Sequence, residues 1–361
     1  MQLHLNMLEC EVLLSMMNQF KRLWKIDRWW NTQIPVMLAI IYFQLGQQKI
    51  AVPFSRLLFD IILYMVAALG IACFGQLLND VCDREEDLLS RSPNLVVWKS
   101  RKKLLVMFVL VLLMAVLPWI MLPLTPAILI LLIVEICLFI ACSVPPLRFK
   151  RRGLLGPIVN GLCEYTVPFM VGLLTFGKLC GTELPLWFMT ILAIWALLVG
   201  VHATLIRQLM LAQWDLLARR LTFVVQYGWQ FTVEGMERYL LPAEMVAFIL
   251  LVLAIGCYIP LVPIGFLVYL VWMLYRWKTF GIWQSGNPLQ FPVVDRLFCC
   301  HLILLFRFYT DWLPFLLLIA LVWHTPLYVI LLVTHLLLFQ SGIVTLVRIE
   351  IPEMRRLGRI I

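Results

Sequence analysis

Residues 57 to 87 read LLFDIILYMVAALGIACFGQLLNDVCDREED, and this stretch decides the fold. Its first part, 57 to 78, is an apolar run about as long as the ~20 residues that an α-helix needs to cross a bilayer. Its second part brings several carboxylates directly after that run. The stretch therefore predicts a transmembrane helix whose end bears a cluster of acids.

The rest of the chain repeats the apolar half of this pattern. Apolar residues make up 63% of the 361 residues and charged residues 14%, whereas a soluble domain has roughly half and a quarter. The apolar runs match helical spans in length, which predicts an all-α, polytopic transmembrane bundle of nine to ten helices. Pro260 and Pro263 leave open whether the seventh and eighth spans are two helices or one bent helix with a re-entrant piece. The predicted spans are 34 to 50, 57 to 78, 104 to 122, 127 to 144, 157 to 177, 186 to 210, 243 to 259, 262 to 277, 301 to 323 and 326 to 347.

The net charge of +9 follows the loops between these spans. Cations cluster before the first span and after the second, fourth, sixth and eighth, while loops such as 123 to 126 and 260 to 263 are almost free of them. This is the positive-inside pattern, so both termini are expected on the cytoplasmic side. The basic balance thus indicates topology and argues against nucleic-acid binding.

The predicted domain organisation has two parts. Residues 1–33 lack the order of a cleavable signal and combine Trp24, Trp29 and Trp30 with basic residues, which predicts an interfacial amphipathic segment. Residues 34–361 are predicted to form a single transmembrane domain. The compact loops and the missing transit peptide favour the bacterial inner membrane, with an organelle membrane as the alternative.

The acids at the end of the second span have the spacing of a site. On a helix that turns roughly 100° per residue, Asp80, Asp83 and Asp87 fall within about 60° of one another. Asn79 lies at the edge of that arc. Hard oxygen ligands that leave room for water and phosphate suit Mg²⁺, so the cluster predicts a diphosphate held through Mg²⁺. The alternative is a solvated helix end whose acids pair with nearby arginines.

A basic stretch ends the fourth span, where residues 143–152 read SVPPLRFKRR. Pro145 and Pro146 stop the helix, and the cations that follow lie at the same cytoplasmic level as the acids. Arg148 and Lys150 are therefore predicted to bind the diphosphate. The other cations of this stretch are expected only to fix the topology and to contact anionic lipid.

A polar set with fewer carboxylates lies at the end of the sixth span. Gln208 and Asp215 are seven residues apart and share a helix face, with Leu211 between them. One carboxylate on this side makes a weaker site than the three on the other.

The acidic cluster, the basic stretch and the polar set at the end of the sixth span form three sequence blocks. With these blocks the chain resembles the UbiA superfamily of intramembrane prenyltransferases over most of its length. The first motif of that superfamily, N-D-x-x-D-x-x-x-D at the end of the second helix, is matched at Asn79 and at all three aspartates. Residues 143–151 are similar to its second feature, Y-S-x-P-P-x-R-x-K-R, with Cys142 in place of the tyrosine. Asn160 and Glu164 also stand where the superfamily often has them.

The third block departs from the superfamily pattern, which has an amide or histidine pair, then D-x-x-x-D, then a glycine and a threonine. Gln208, Asp215 and Thr222 match, but Leu211 replaces the first aspartate and Arg219 the glycine. The resemblance thus leaves two possibilities for the second Mg²⁺. Either Asp215 and Gln208 hold it weakly, or Arg207 or Arg219 supplies positive charge in its place.

The resemblance implies helices around a central cavity, open sideways to the lipid bilayer. It also implies transfer of a prenyl group from a prenyl diphosphate to an aromatic or other polar, lipid-like acceptor. Aromatic faces attract a desolvated cation, and an acid within a span is a functional candidate. The expected catalytic residues are Asp80, Asp83 and Glu164. The expected binding residues are Asn79, Asp80, Asp83, Asp87 and Asp215 for Mg²⁺, Arg148, Lys150 and Gln208 for the diphosphate, and Asn160, Tyr165 and Phe169 for the prenyl cation or acceptor, with Trp195 as a further aromatic candidate.

Two other functions use the same blocks. A terpene cyclase ionises the same diphosphate and lets the double bonds of the prenyl chain capture the cation, and the altered third block keeps this alternative open. A non-catalytic prenyl-lipid binding protein needs no ionisation, and the intact first motif argues against it. These residues leave open the acceptor, the prenyl chain length and the oligomeric state.

Overall fold

The computed structural model describes residues 29–89, 94–280 and 305–339. Within these ranges every regular element is a helix and no strand occurs, which confirms the predicted all-α class. Most of the predicted interfacial segment and the end of the last predicted span lie outside the described residues.

The helices are numbered here in chain order. They are α1 (Ile34–Leu45), α2 (Phe54–Cys82), α3 (Arg84–Leu89), α4 (Arg101–Val116), α5 (Pro126–Ser143), α6 (Leu155–Cys180), α7 (Leu186–Leu217), α8 (Phe223–Tyr227), α9 (Trp229–Gly256), α10 (Leu261–Phe280), α11 (Leu305–His324) and α12 (Val329–Leu338). Prolines and glycines mark several of their boundaries. Pro260 stands between α9 and α10, so the apolar run around it forms two separate helices.

In the described part of the chain, seven helices are long and apolar enough to cross a membrane, namely α2, α4 with the 3₁₀ turn after it, α5, α6, α7, α9 and α11. Three shorter apolar stretches add to them, namely Ile34–Leu45 in α1, Leu261–Tyr275 in α10 and Pro326–Leu338, which includes α12. Leucines such as Leu105 and Leu110 on α4 are 66% and 55% exposed, a surface that suits lipid better than water. The structure thus confirms the predicted polytopic bundle, and the seven long and three short helices agree with nine to ten spans.

The chain forms two compact units. Among the described residues, the first contains those of Ser55–Val171 and Val199–Thr232, and the second contains those of Asn31–Phe54 and Gly172–Leu198 together with 233–280 and 305–339. Helices α6 and α7 each contribute residues to both units. The polar blocks found in the sequence all belong to the first unit. The single domain predicted for residues 34–361 stays a prediction.

Glycines let helices of the first unit approach closely. A Cβ added to Gly70 on α2 would collide with the backbone of Ala115 on α4. A Cβ added to Gly200 on α7 would lie 2.5 Å from the Cα of Gly161 on α6. Small residues at such crossings are typical of membrane helices. The second contact brings α6 and α7 together within the unit that contains the polar blocks.

In the second unit, every residue of α1 is buried. Its one amide, Gln44, donates Nε2 to the carbonyl oxygen of Leu173 at 3.0 Å and accepts a hydrogen bond from the hydroxyl of Thr182. Both ends of the amide are therefore satisfied inside an apolar surrounding.

Candidate functional site

The acidic segment, residues 79–87, continues the helical path beyond the end of α2. The backbone N–H groups of Asp83 and Asp87 donate to the carbonyl oxygens of Asn79 and Asp83, both at 2.9 Å. This continuity places Asp80, Asp83 and Asp87 on one side, as their spacing predicts. Each of the three is at most 6% exposed. Such burial disagrees with the alternative of a solvated helix end.

Two amides fix the acidic segment. Asn94 donates Nδ2 to the carbonyl oxygen of Asp80 at 2.8 Å and to Asp87 Oδ2 at 2.7 Å, while its Oδ1 caps the 3₁₀ turn Leu95–Trp98. Gln76 donates Nε2 to Asp80 Oδ1 at 2.6 Å. Sequence reasoning missed both amides. The only sequence signal for Asn94 was its residue type, because asparagine is favoured at the N-cap of a helical turn.

The basic segment, residues 145–152, folds against the acidic segment. Arg148 donates Nη2 to Asp83 Oδ1 at 2.8 Å and to Glu86 Oε1 at 2.7 Å. Arg151 also pairs with Glu86. Arg148 has a φ of 39°, which costs free energy in a residue other than glycine and needs surrounding contacts to hold it. The structure thus brings together the acids and cations that the sequence predicts to face one another.

Lys150 lies at the centre of this arrangement. Its Nζ is 2.7 Å from Asn79 Oδ1 and 2.6 Å from each carboxylate oxygen of Asp83. Burial is the largest influence on Asp83 and raises its pKa, but attraction from Lys150 and the neighbouring arginines outweighs burial and lowers the pKa below its ordinary value. Asp83 is therefore ionised at neutral pH.

The three oxygens around Lys150 Nζ define a cation position, and their chemistry fits Mg²⁺. Mg²⁺ in proteins commonly takes one or two carboxylates and fills its remaining positions with water and substrate phosphate. Among the described residues, no group of three or more His, Cys, Asp and Glu side chains is arranged to hold a metal by itself. Asn79 and Asp83 meet at the cation position, whereas Asp80 and Asp87 accept hydrogen bonds from the two amides. The arrangement therefore suits an ion shared between protein and phosphate.

Arg220 connects the acidic segment to the end of α7. Its Nη2 pairs with Asp87 Oδ1, its Nε lies 3.3 Å from Glu86 Oε2, and its Nη1 lies 3.6 Å from Asp215 Oδ1. Asp215, a predicted metal ligand, thus faces an arginine.

The sequence pointed to Arg207 or Arg219 as the compensating charge of the third block, whereas the structure directs Arg220 to the acids. Arg219 has a φ of 52°, in the left-handed region that favours glycine, and its side chain is exposed. Gln208, predicted to bind diphosphate, accepts a 3.4 Å hydrogen bond from the backbone N–H of Val224. Which of the two adjacent arginines points inward depends on the turn at Arg219. Its one sequence signal was the glycine that the superfamily has at this position, since glycine favours the left-handed backbone.

Glu164 lies in a π-helical turn of α6, Leu162–Thr166. Arg207 on α7 donates Nη2 to its two carboxylate oxygens at 3.2 and 2.9 Å. The close contact of Gly161 with Gly200 lets these two helices approach. Because π-turns inside α-helices are frequent at functional sites, the turn adds to the case for Glu164.

The predicted pocket residues Asn160, Tyr165 and Phe169 also lie on α6. Asn160 Oδ1 accepts a hydrogen bond from the Cys142 thiol at 3.4 Å. The rings of Tyr165 and Phe169 meet edge to face with centroids 5.8 Å apart, and both residues are buried. Trp195 belongs to the second unit.

A model of the UbiA prenyltransferase family matches residues 35–292, well over half of the chain. The chain belongs to the UbiA prenyltransferase family. The matched range includes the acidic segment, the basic segment and Arg220. The resemblance carried by the motifs is thereby confirmed. Together with the apolar helices, membership of the UbiA family makes this a multi-pass integral membrane protein.

Solved structures with the same fold come from a UbiA homolog of Archaeoglobus fulgidus. The structure bound to GPP and Mg²⁺ matches with a TM-score of 0.56 at 16% identity, over 83% of this chain and 98% of that chain. The structure bound to DMAPP and Mg²⁺ matches with 0.54 at 17% identity, over 82% and 98%. The structure bound to Cd²⁺ matches with 0.52 at 16% identity, over 81% and 98%. Comparison with curated proteins gave no significant match.

Proposed function

We propose that this UbiA family member is a Mg²⁺-dependent intramembrane prenyltransferase. It transfers a prenyl group from a prenyl diphosphate to an aromatic or other polar acceptor and releases diphosphate. The observation that carries the proposal is the cation position between Asn79 and Asp83, directly beside Arg148. The GPP, DMAPP and Mg²⁺ bound to the similar UbiA homolog support the same class of substrate and cofactor.

The acidic and basic segments hold the diphosphate between them. Asn79 and Asp83 would hold Mg²⁺, which would supply positive charge to the diphosphate. Lys150 and Arg148 donate hydrogen bonds to the same oxygens. Ionisation of an allylic diphosphate places negative charge on the leaving group, so donors that are already in position lower the barrier.

Residues of α6 contact the allylic cation and the acceptor. The buried faces of Tyr165 and Phe169 stabilise the allylic cation through their ring quadrupoles. Arg207 fixes the direction of the Glu164 carboxylate, since it donates to both oxygens. Glu164 orients the acceptor and takes the proton that the acceptor loses after the new bond has formed.

An assay with full-length protein in detergent tests this proposal. The protein is incubated with Mg²⁺ and prenyl diphosphates of several lengths, with and without aromatic acceptors. Acceptor-dependent release of diphosphate supports transfer. Release with a hydrocarbon or alcohol product instead supports a terpene cyclase, and saturable binding without release supports a prenyl-lipid binding protein.

Asp83→Asn is expected to lower diphosphate release roughly 1000-fold, since several kcal/mol of charge stabilisation are lost with the metal ligand. Glu85→Gln is the matched control, because Glu85 is exposed and the substitution removes the same charge two residues away. The control should stay within about twofold of the unchanged protein, as expected for a surface substitution. Full activity in Asp83→Asn contradicts the assigned chemistry.

We also propose that the acidic and basic segments face the cytoplasm of a bacterial cell, on the basis of the positive-inside pattern. An epitope inserted at Gly181, in the turn between α6 and α7, should then be reachable from outside the inner membrane of intact cells. An epitope at Gly228 should be reachable only after lysis. The reverse result contradicts the orientation.

A further inference from the structure

Arg220 joins two acidic regions that lie far apart in the chain. Its guanidinium contacts Asp87 and Glu86 on one side and Asp215 on the other. Its backbone N–H donates to the carbonyl oxygen of Asp215 at 2.8 Å, which ties the turn to the end of α7. The side chains of Asp87 and Asp215 are each 7% exposed and that of Arg220 is 20% exposed, so this charge cluster is mostly shielded from water.

The carboxylates on this side are already engaged. Asp87 accepts from Arg220 at Oδ1 and from Asn94 at Oδ2. Asp215 faces Arg220, and Leu211, one helical turn earlier on the same face, offers no oxygen. A divalent ion bound here would have to break the Arg220 contacts and find its ligands without a carboxylate at position 211.

We propose that Arg220 is a built-in cation that occupies the place of a second metal ion, so that this chain binds one divalent ion per diphosphate. The inference rests on the proposed function, because it concerns how the same site holds the diphosphate. The planar guanidinium suits the role, since it bridges several oxygens at once and always carries its charge. Its contacts with Asp87 and Asp215 position it beside the diphosphate.

The number of bound metal ions tests this inference without any turnover. Mn²⁺ is titrated into full-length protein in detergent, with inorganic pyrophosphate present, and bound Mn²⁺ is counted by electron paramagnetic resonance. We expect one Mn²⁺ per chain in the unchanged protein and in Leu211→Asp alone. We expect two in Leu211→Asp combined with Arg220→Ala, because the added carboxylate and the vacated place together restore a metal site.

Two further variants serve as controls. Arg219→Gly removes the adjacent, exposed arginine in a way that suits the left-handed backbone, and it should still bind one Mn²⁺. Adding Asp83→Asn to the double variant should remove the first ion and leave the second. That result shows that the protein is folded and that the two ions bind at separate sites.

The outcomes distinguish this inference from the proposed function. Two Mn²⁺ in the unchanged protein, two in Leu211→Asp alone, or one in the double variant overturns the role of Arg220 and leaves the proposed function intact. If the unchanged protein binds no Mn²⁺ in the presence of pyrophosphate, the proposed function fails and this inference fails with it.

Discussion

The acidic segment and the end of α7 balance their negative charge in different ways. In the acidic segment, the oxygens of Asn79 and Asp83 surround the ammonium of Lys150. At the end of α7, Asp215 faces Arg220, whose guanidinium spans carboxylates of both regions. A lysine is a compact charge on a flexible stem, whereas the arginine fork is fixed by several acceptors at once. The first region is therefore suited to exchanging its cation and the second to keeping it.

Lys150→Met tests the exchange and should give the largest effect among the variants that probe this difference between the two regions. Without the competing ammonium, the affinity of the cation position for Mn²⁺ alone should rise, while diphosphate release should fall about 100-fold because a positioned donor is lost. Mn²⁺ titration and the release assay measure the two quantities. Arg152→Met removes an exposed cation of the same segment and should change neither by more than about twofold. Weaker Mn²⁺ binding in Lys150→Met would show that the lysine is not a competitor.

Asn94→Ala tests the acidic segment separately from the end of α7, because it removes hydrogen bonds that hold only the acidic segment. It removes the hydrogen bonds to Asp80 and Asp87, and such supporting contacts are typically worth about 10- to 100-fold in metal affinity. Ser100→Ala is the matched control, because Ser100 also caps a helix: its hydroxyl oxygen accepts a hydrogen bond from the backbone N–H of Lys103 at 3.4 Å at the start of α4. Mn²⁺ titration with pyrophosphate should separate the two variants, and equal affinities would remove Asn94 from the site.

Gly200→Ala tests the packing of α7 against α6. It should change Mn²⁺ affinity less than the other two variants do, and its main effect should be on stability. The new Cβ would lie 2.5 Å from Gly161, so α6 and α7 must shift, at a cost of about 1 to 3 kcal/mol in stability. In Gly235→Ala the Cβ meets nothing within 4 Å, and this control should be neutral or stabilising by less than about 1 kcal/mol. Unfolding in detergent measures both, and a Gly200→Ala protein as stable as the control would contradict the close helix contact.

Much of the fold could be predicted from the sequence, because lipid imposes a length and a composition on each span. The predicted and observed boundaries differ where a helix continues beyond the end of its apolar run. The second span, predicted to end at 78, continues in α2 to Cys82, and the sixth, predicted to end at 210, continues in α7 to Leu217. Hydropathy marks the part of a helix in lipid, whereas backbone hydrogen bonding carries the helix beyond it. Hydropathy does not mark the π-turn of α6, which ends at Thr166, two residues before Pro168.

The candidate site could be predicted only in part. Spacing along one helix places Asp80, Asp83 and Asp87 together, and a shared membrane level brings Arg148 and Lys150 towards them. Contacts that depend on how separate segments pack, such as those of Asn94 and Arg220, leave no periodic trace in the sequence.

Anomalous diffraction from crystals of the full-length protein soaked with Mn²⁺ and pyrophosphate tests the central claim most directly. The account predicts a peak within ligand distance of Asn79 Oδ1 and an Asp83 oxygen, with Lys150 Nζ moved onto the pyrophosphate. A position with no peak between Asn79 and Asp83, or with Lys150 still seated there while pyrophosphate is bound elsewhere, would contradict it.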